Sequence, residues 1–261
     1  MDAVVQAAAV AVDVTNFITA SDASSQAFKT ATLLKTLNIN SLITGESGVG
    51  KKTLAKYILP DAHIVDASNY DELLSSVESC KEIIITNLEK SPNIKKTFEA
   101  IASNSLRVIA TASQNYKNEL IDEYFSLIFT VPPLSERVED VQFLIEKFIG
   151  DAQVLFDSHE AFDFSEVTPD LSKNAHSLKR QVMIHYLLSD IHDIELMQII
   201  ESYLSKKLGS NNDYKNFLYL YEVPLIKAGL TKFKSQLQLA DRLGLNRNTL
   251  RKKIADNKEY L

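Results

Sequence analysis

One cysteine, Cys80, is the chain's whole thiol content. No disulfide can form within it, which fits a reducing compartment and leads us to expect a cytoplasmic protein. No Cys/His cluster with metal-ligand spacing is present: His63, His176, His185 and His192 read as structural residues, and no metal site is expected from them. No nucleophile–base signature stands out either. The apolar stretch Met1–Ala11 has no basic residue in front of it and is too short to span a bilayer, so neither signal peptide nor membrane anchor is expected. Internal repeats and low-complexity segments are absent.

What is present is an ordinary globular composition, 45% hydrophobic and 24% charged over 261 residues, enough for one large domain and one or two small ones. Its charge is segregated. Residues 227–261 hold nine Lys or Arg against three Asp or Glu, +6 in a chain of net −6, so everything before them is −12. An acidic body with a basic terminal module points to the module alone as the part that meets phosphate.

The order of elements is α/β first and all-α afterwards. Helical spacing at 25–37 precedes a buried strand at 41–44. Strands around 63–66, 82–86, 106–111 and 127–131 then alternate with helices around 53–59, 70–77, 93–102 and 118–125, which predicts a parallel sheet covered on both faces. Beyond Pro132-Pro133 only helical patterns follow, at 136–149, 175–188, 194–208 and 214–228, with Gly209-Ser210-Asn211-Asn212 as a linker.

Between the first strand and its helix stand Gly45, Glu46, Ser47, Gly48, Val49, Gly50, Lys51 and Lys52, followed by Thr53. Glycines at this spacing let successive backbone N–H groups turn inward on an anion, while the helix N-terminus and Lys51 add positive charge. Lys52 stands where a hydroxyl normally helps to hold Mg²⁺, and Thr53 is one residue late for that task. These nine residues are the candidate nucleotide-binding set.

The last thirty residues carry a second pattern. Residues 236–254 read as helix, tight turn, helix: Ala240 is small where the helices cross, Gly244 makes the turn, and Leu239, Leu243, Leu245, Leu250 and Ile254 supply a shared core. Asn246 is placed to cap the second helix. Asn246, Arg247, Asn248, Thr249, Arg251, Lys252 and Lys253 are the candidate DNA-binding residues, on the start and exposed faces of a recognition helix.

Three ordered stretches, 42–51, 106–115 and 132–140, resemble the ATPase domain of NtrC-type transcriptional activators, which are AAA+ proteins; the resemblance covers roughly residues 24–190. The tail resembles the Fis-type helix-turn-helix that ends such proteins, above all in Asn246-Arg247-x-Thr249-Leu250-Arg251-Lys252-Lys253. The resemblance implies an α/β fold: a P-loop AAA+ parallel sheet with helices on both faces, then an all-α lid and an all-α Fis-like helix-turn-helix domain. The implied division is an N-terminal segment 1–23, a shortened AAA+ domain 24–134, a helical lid 135–209 and a DNA-binding domain 210–261. ATP or ADP is the implied ligand and double-stranded DNA the implied partner. A homodimer is expected through the C-terminal helices, where Tyr214, Phe217, Leu218, Tyr221 and Leu225 form an apolar stripe.

Departures from the family matter as much. Its acidic strand end, which holds metal and polarises water, corresponds here to Thr86 and Asn87; Asn87 cannot accept a proton, and Glu89, two residues later, is expected to aim elsewhere. The arginines expected around 118–127 are missing, and His176 falls where a second-sensor arginine belongs. About thirty residues separate Lys51 from Ile83, too few for the inserted loop that contacts sigma-54 polymerase. No receiver domain stands before the phosphate loop in this sequence. The expectation is therefore a DNA-binding transcriptional regulator with a degenerate, non-hydrolysing AAA+ domain. On this reading it is not an enzyme, binds Mg²⁺ weakly or not at all, and does not remodel sigma-54 polymerase. Two alternatives stay open: an active P-loop ATPase in which Glu89 or an unrecognised residue replaces the lost acids, and a non-catalytic protein-interaction scaffold.

Overall fold

The computed structural model describes residues 17–157, 162–165, 167–189 and 191–261. The stretch Met1–Ala11 and its neighbours to residue 16 lie outside the described residues. Two compact units divide the chain, one ending at Asp190 and the other running from Ile191 to Leu261.

In the first unit, the Ser21 side chain accepts a hydrogen bond from the Ser24 amide and caps α1 (Asp22–Thr36). Ala27, Ala31 and Leu34 form the buried stripe of that helix. Five short strands follow: β1 (Ser41–Thr44), β2 (His63–Asp66), β3 (Glu82–Thr86), β4 (Arg107–Ala112) and β5 (Leu127–Thr130). They alternate with α2 (Lys51–Ile58), α3 (Tyr70–Ser79), α4 (Ile94–Ser103) and the single turn α5 (Ile121–Tyr124). All pairs are parallel, in the order β2-β3-β4-β1-β5.

The pleat sorts the apolar runs between two cores. Ile83, Ile85, Val108 and Ala110 join Leu73, Val77 and Phe98 on one face; Ile84 and Ile109 join Ala31, Leu34, Leu54 and Ile58 on the other. Every residue of β1 is buried, as a central strand covered on both sides requires. Parallel strands bring all their C-terminal ends to one edge, and the glycine loop leaves β1 there. The helix expected across 118–125 is reduced to one turn, because Asn118 Oδ1 accepts from the Leu120 amide and turns the chain first.

After β5 a 3₁₀ turn at Leu134–Glu136 leads into α6 (Val138–Phe156), which packs against α7 (Ala175–Leu188) around Val141, Ile145, Phe148, Leu178 and Val182. A buried ion pair ties the start of α6 to the glycine loop and to the start of α1. Arg137, 3% exposed, meets Asp140, fully buried, at 3.3 Å, and its second nitrogen donates to the Val49 carbonyl at 3.1 Å. Asp140 also accepts from the Ser21 amide at 2.8 Å and the Ser24 hydroxyl at 3.0 Å.

The second unit is all helix: α8 (Asp193–Ser205), α9 (Asp213–Phe217), α10 (Tyr219–Phe233), α11 (Gln236–Arg242) and α12 (Arg247–Asp256). Ile226, Leu239, Ala240 and Leu250 form its buried centre, with Leu230, Phe233, Leu243, Leu245 and Ile254 around them. A parallel sheet flanked by helices and followed by an all-α region is the architecture expected from the sequence.

Candidate functional site

A cleft of about 1140 Å³ opens at the C-terminal ends of β1, β2 and β3. Gly45, Ser47, Gly48, Gly50, Lys51, Lys52 and Thr53 line it, opposite Asp66, Thr86, Asn87 and Glu89. Two of its glycines are required by space as well as by dihedral. Gly45 has φ +149° and a Cβ there would lie 2.6 Å from the Val131 carbonyl oxygen; Gly48 has φ +82° and a Cβ would lie 2.5 Å from that of Lys173. Lys51 Nζ donates to the carbonyls of Gly45 at 2.6 Å and Glu46 at 2.7 Å, which arches the loop. Burial pulls the Lys51 ammonium below its ordinary value, against the opposing pull of Glu89 and Glu46. A half-buried cation over a glycine arch has the chemistry to receive an anion such as a phosphate.

Not every residue of the nucleotide set faces the cleft. Glu46 turns to Asn174, whose side-chain nitrogen donates to its carboxylate at 2.9 Å and to the Ser47 carbonyl at 3.0 Å. Val49 is buried and lines a second, smaller cavity of about 130 Å³. Phe17, Ile18, Leu134, Leu144 and Phe148 also line that cavity, and it shares Gly48, Gly50, Thr53 and Ala175 with the large cleft. Arg137, Asp140 and Lys147 also stand on its wall, so the slot is partly apolar and partly charged where it meets the cationic cleft at the glycine loop. His176, in the first turn of α7, stands against Gly48 and lines the cleft, the position the resemblance implied for a second sensor.

Glu89 is where the sequence reading fails. Asn87 adopts a left-handed conformation, φ 54°, and starts a 3₁₀ turn over Leu88–Lys90. That turn reverses the chain and returns Glu89 to the cleft instead of aiming it away. Its Oε2 is buried without a hydrogen-bond partner, and its charge acts on both Lys51 and Tyr116. Asp66, ending β2 opposite Thr86, also enters the cleft. Asn87 Nδ2 donates to Asp66 Oδ2 at 2.6 Å, and the Ser68 amide and hydroxyl donate to Oδ1 at 3.0 and 2.6 Å. Burial pushes the Asp66 carboxyl up, but these donors outweigh it and hold the group below the usual carboxylate range.

In the second unit, Ser235 caps α11 and Asn246 caps α12, its Oδ1 accepting from the Asn248 amide at 2.8 Å. Gly244 makes the turn between them at φ +64°. Arg247, Asn248, Thr249, Arg251 and Lys252 are exposed along the start of α12. Lys253 differs: one turn beyond Leu250 it is partly exposed and pairs with Glu222 of α10.

The family described as "Sigma-54 interaction domain" matches residues 17–78. DNA-binding transcriptional regulator NtrC of Rhizobium meliloti (strain 1021) is 27% identical over 202 residues, covering 59% of this chain and 42% of that protein. NtrC of Bradyrhizobium sp. (strain RP501 Parasponia) is 27% identical over 194 residues, covering 60% and 40%. The chain is similar to these NtrC proteins over about three fifths of its length, and it ends in a helical C-terminal region. It spans about two fifths of the length of these curated relatives, 42% and 40%. Among solved structures, NtrX from Brucella abortus in complex with ADP is similar in fold, with a TM-score of 0.57, 16% identity, and coverage of 94% of this chain and 69% of that one. The ATP complex of NtrX gives a TM-score of 0.53 at 17% identity, covering 96% and 71%.

These findings correct one expectation. A degenerate ATPase that is not an enzyme does not stand beside a protein of the same fold solved with ADP and with ATP. In the cleft itself, Asp66 from β2 and Glu89 from the turn after β3 line the wall beside Thr86 and Asn87.

Proposed function

We infer that this protein is a DNA-binding transcriptional regulator whose AAA+ body binds ADP or ATP. The nucleotide lies with its base in the slot beside Phe17 and Val49 and its phosphates over Gly45–Lys51. The glycine loop with its arched Lys51, open to a cationic cleft and to a smaller, partly apolar slot at once, carries the nucleotide reading. Among the described residues no three His, Cys, Asp or Glu side chains gather to hold a metal ion. Nucleotide-bound Mg²⁺ needs no such cage, since it takes one or two carboxylates beside the phosphates.

The DNA reading rests on α12. Its capped start and exposed Arg247, Asn248, Thr249, Arg251 and Lys252 fit a helix entering the major groove, within residues 210–261 as the DNA-binding domain. A second copy of the chain pairs through the helices before it, where Tyr214 is 81% and Tyr221 68% exposed and Ile194, Met197 and Ile200 form an outward row on α8. Among the described residues no helix is long and apolar enough to cross a membrane, and we place the protein in the cytoplasm. From α2 to β3 the chain runs only through β2 and α3, so we propose that it regulates by occupying DNA rather than by remodelling sigma-54 polymerase.

Two titrations on one purified sample test this. Lys51→Ala removes a charge-assisted hydrogen bond of about 1.5–3 kcal/mol, so nucleotide affinity should fall roughly 10- to 100-fold. Arg247→Ala with Arg251→Ala should weaken a specific DNA site by about 1–3 kcal/mol per lost base contact. Unchanged DNA binding in the double variant refutes the interface. ATP-dependent open-complex formation at a sigma-54 promoter would overturn the last part.

A further inference from the structure

We propose that lysine ammonium groups, and not a divalent cation, neutralise the phosphates held in this cleft, with Lys52 and Lys56 of α2 in the metal's place. The ligand is then a metal-free nucleoside di- or triphosphate. This rests on the nucleotide reading of the same cleft and names the ionic form of its ligand.

The resemblance to AAA+ ATPases implies Mg²⁺ beside the phosphates, and the donors present do not fit it. A nucleotide-bound Mg²⁺ takes one or two carboxylates that have oxygen to offer. Two carboxylates line the cleft, Asp66 and Glu89. Asp66 Oδ1 accepts from the Ser68 amide and hydroxyl, and Oδ2 accepts from Asn87 Nδ2 at 2.6 Å and, weakly, Thr86 Oγ1 at 3.5 Å. The charge of Lys90 acts on it as well. Glu89 turns Oε2 into the wall, away from water, and its charge acts on Lys51. Among the described residues no third His, Cys, Asp or Glu joins them to hold a metal ion. Lys52 itself stands where a hydroxyl would reach the metal.

Cations supplied by the chain are plentiful instead. Lys35, Lys51, Lys52, Lys56 and Lys90 line the cleft, five lysines against two carboxylates. They do so in a body that carries −12 before residue 227, so they are not the background of a basic surface. Lys51 and Lys52 occupy the first turn of α2, where no acidic residue offsets them and Gly50 provides no side-chain cap. A helix N-terminus carries partial positive charge, so ammonium groups there are unfavourable until an anion lies over them. Lys52 and Lys56 stand one turn apart on the same side of α2, both exposed and both on the cleft. Like charges at that spacing repel. Phosphate oxygens between them turn the repulsion into charge-assisted hydrogen bonding, and the two ammonium groups together match the charge of one Mg²⁺. Lys35 reaches the same cleft from the last turn of α1, its Nζ 4.3 Å from the centre of the Tyr57 ring.

Calorimetric titration of the full chain with ATP and with ADP, in EDTA and then in excess Mg²⁺, tests the proposal. Wild-type affinity in EDTA should equal or exceed that in Mg²⁺, because a metal-bound nucleotide presents less charge to the lysines. Lys52→Ala with Lys56→Ala should weaken binding in EDTA by about 10- to 100-fold, the scale of lost charge-assisted contacts, and by less in Mg²⁺. Both side chains are exposed, so replacing them leaves the core intact. Lys52→Arg with Lys56→Arg should keep the affinity in EDTA, since charge is what the site requires. Tightening of wild-type binding by about tenfold or more in Mg²⁺ overturns the proposal and leaves the nucleotide reading standing. A double alanine variant that binds ATP in EDTA as wild type does overturns it equally. Absence of binding in either medium, for wild type and Lys51→Ala alike, removes the nucleotide reading and this inference together.

Discussion

Arg137 and Asp140 join three parts of the first unit through one buried pair. The guanidinium holds the Val49 carbonyl of the phosphate loop while the carboxylate holds the capped start of α1. Burial lowers the pKa of Arg137 against the raising effect of Asp140, yet a guanidinium stays charged throughout the accessible pH range. Replacing Asp140 with Ala leaves that charge uncompensated at 3% exposure, and strands the donors of Ser21 and Ser24. The expected loss is about 3–5 kcal/mol, read as a lower thermal midpoint of the first unit; a shift within error would show that the pair is dispensable. Asp66 makes a pH prediction. Its carboxyl is held below the ordinary range by Ser68 and Asn87 against burial, so its contribution is present above the unfolded value of about 3.9 and is lost as pH falls through the folded one. Asp66→Asn should therefore melt below wild type at neutral pH, with the gap closing below about pH 4. A gap that persists there would mean the effect is steric.

Elements were more legible than the contacts between their ends. Four- and five-residue apolar runs such as 41–44 and 82–86 can only be buried strands when helices flank them, and the glycine spacing at 45–50 specifies its own turn. The C-terminal helices were equally readable, because a turn glycine and a small Ala240 leave few packings open. Asp66 was missed and Glu89 was expected to aim away except in one alternative, for a different reason: Asp66 meets Asn87 across strands, 21 residues away in sequence, and the left-handed turn that redirects Glu89 is a dihedral choice of Asn87. The pairing of Lys253 with Glu222 was not legible, because a cation next to an exposed stripe and one just inside it share the same sequence spacing. The α10–α11 crossing gives the test at this scale. A Cβ on Gly229 would sit 2.2 Å from Leu239 Cδ1 and 3.3 Å from its Cγ, and Leu239 is fully buried. Gly229→Ala should cost about 1–3 kcal/mol by overpacking, although alanine alone favours a helix. An equal or higher melting point for the second unit would show that Leu239 rotates away freely.

At the scale of the molecule, charge separates the two tasks. The body before residue 227 carries −12 and the tail +6, so DNA is attracted by the tail and repelled by the rest, and association should depend steeply on salt. Each phosphate neutralised by Lys or Arg releases condensed counterion and adds about 0.9 to the slope of log K against log salt. Lys252 is exposed on α12, whereas Lys253 is engaged by Glu222. Lys252→Ala should then reduce the slope by about one for every copy of the tail on the DNA, which means about two for a dimer. Lys253→Ala should alter the slope less and lower the stability of the second unit more, since it frees the half-buried Glu222 carboxylate. Measuring both slopes with the full chain separates the readings: a change near two supports paired tails on one site, and a change near one supports a single engaged tail. No change for Lys252 would remove α12 from the interface, because a helix seated in the groove with that side chain exposed cannot avoid the phosphate backbone.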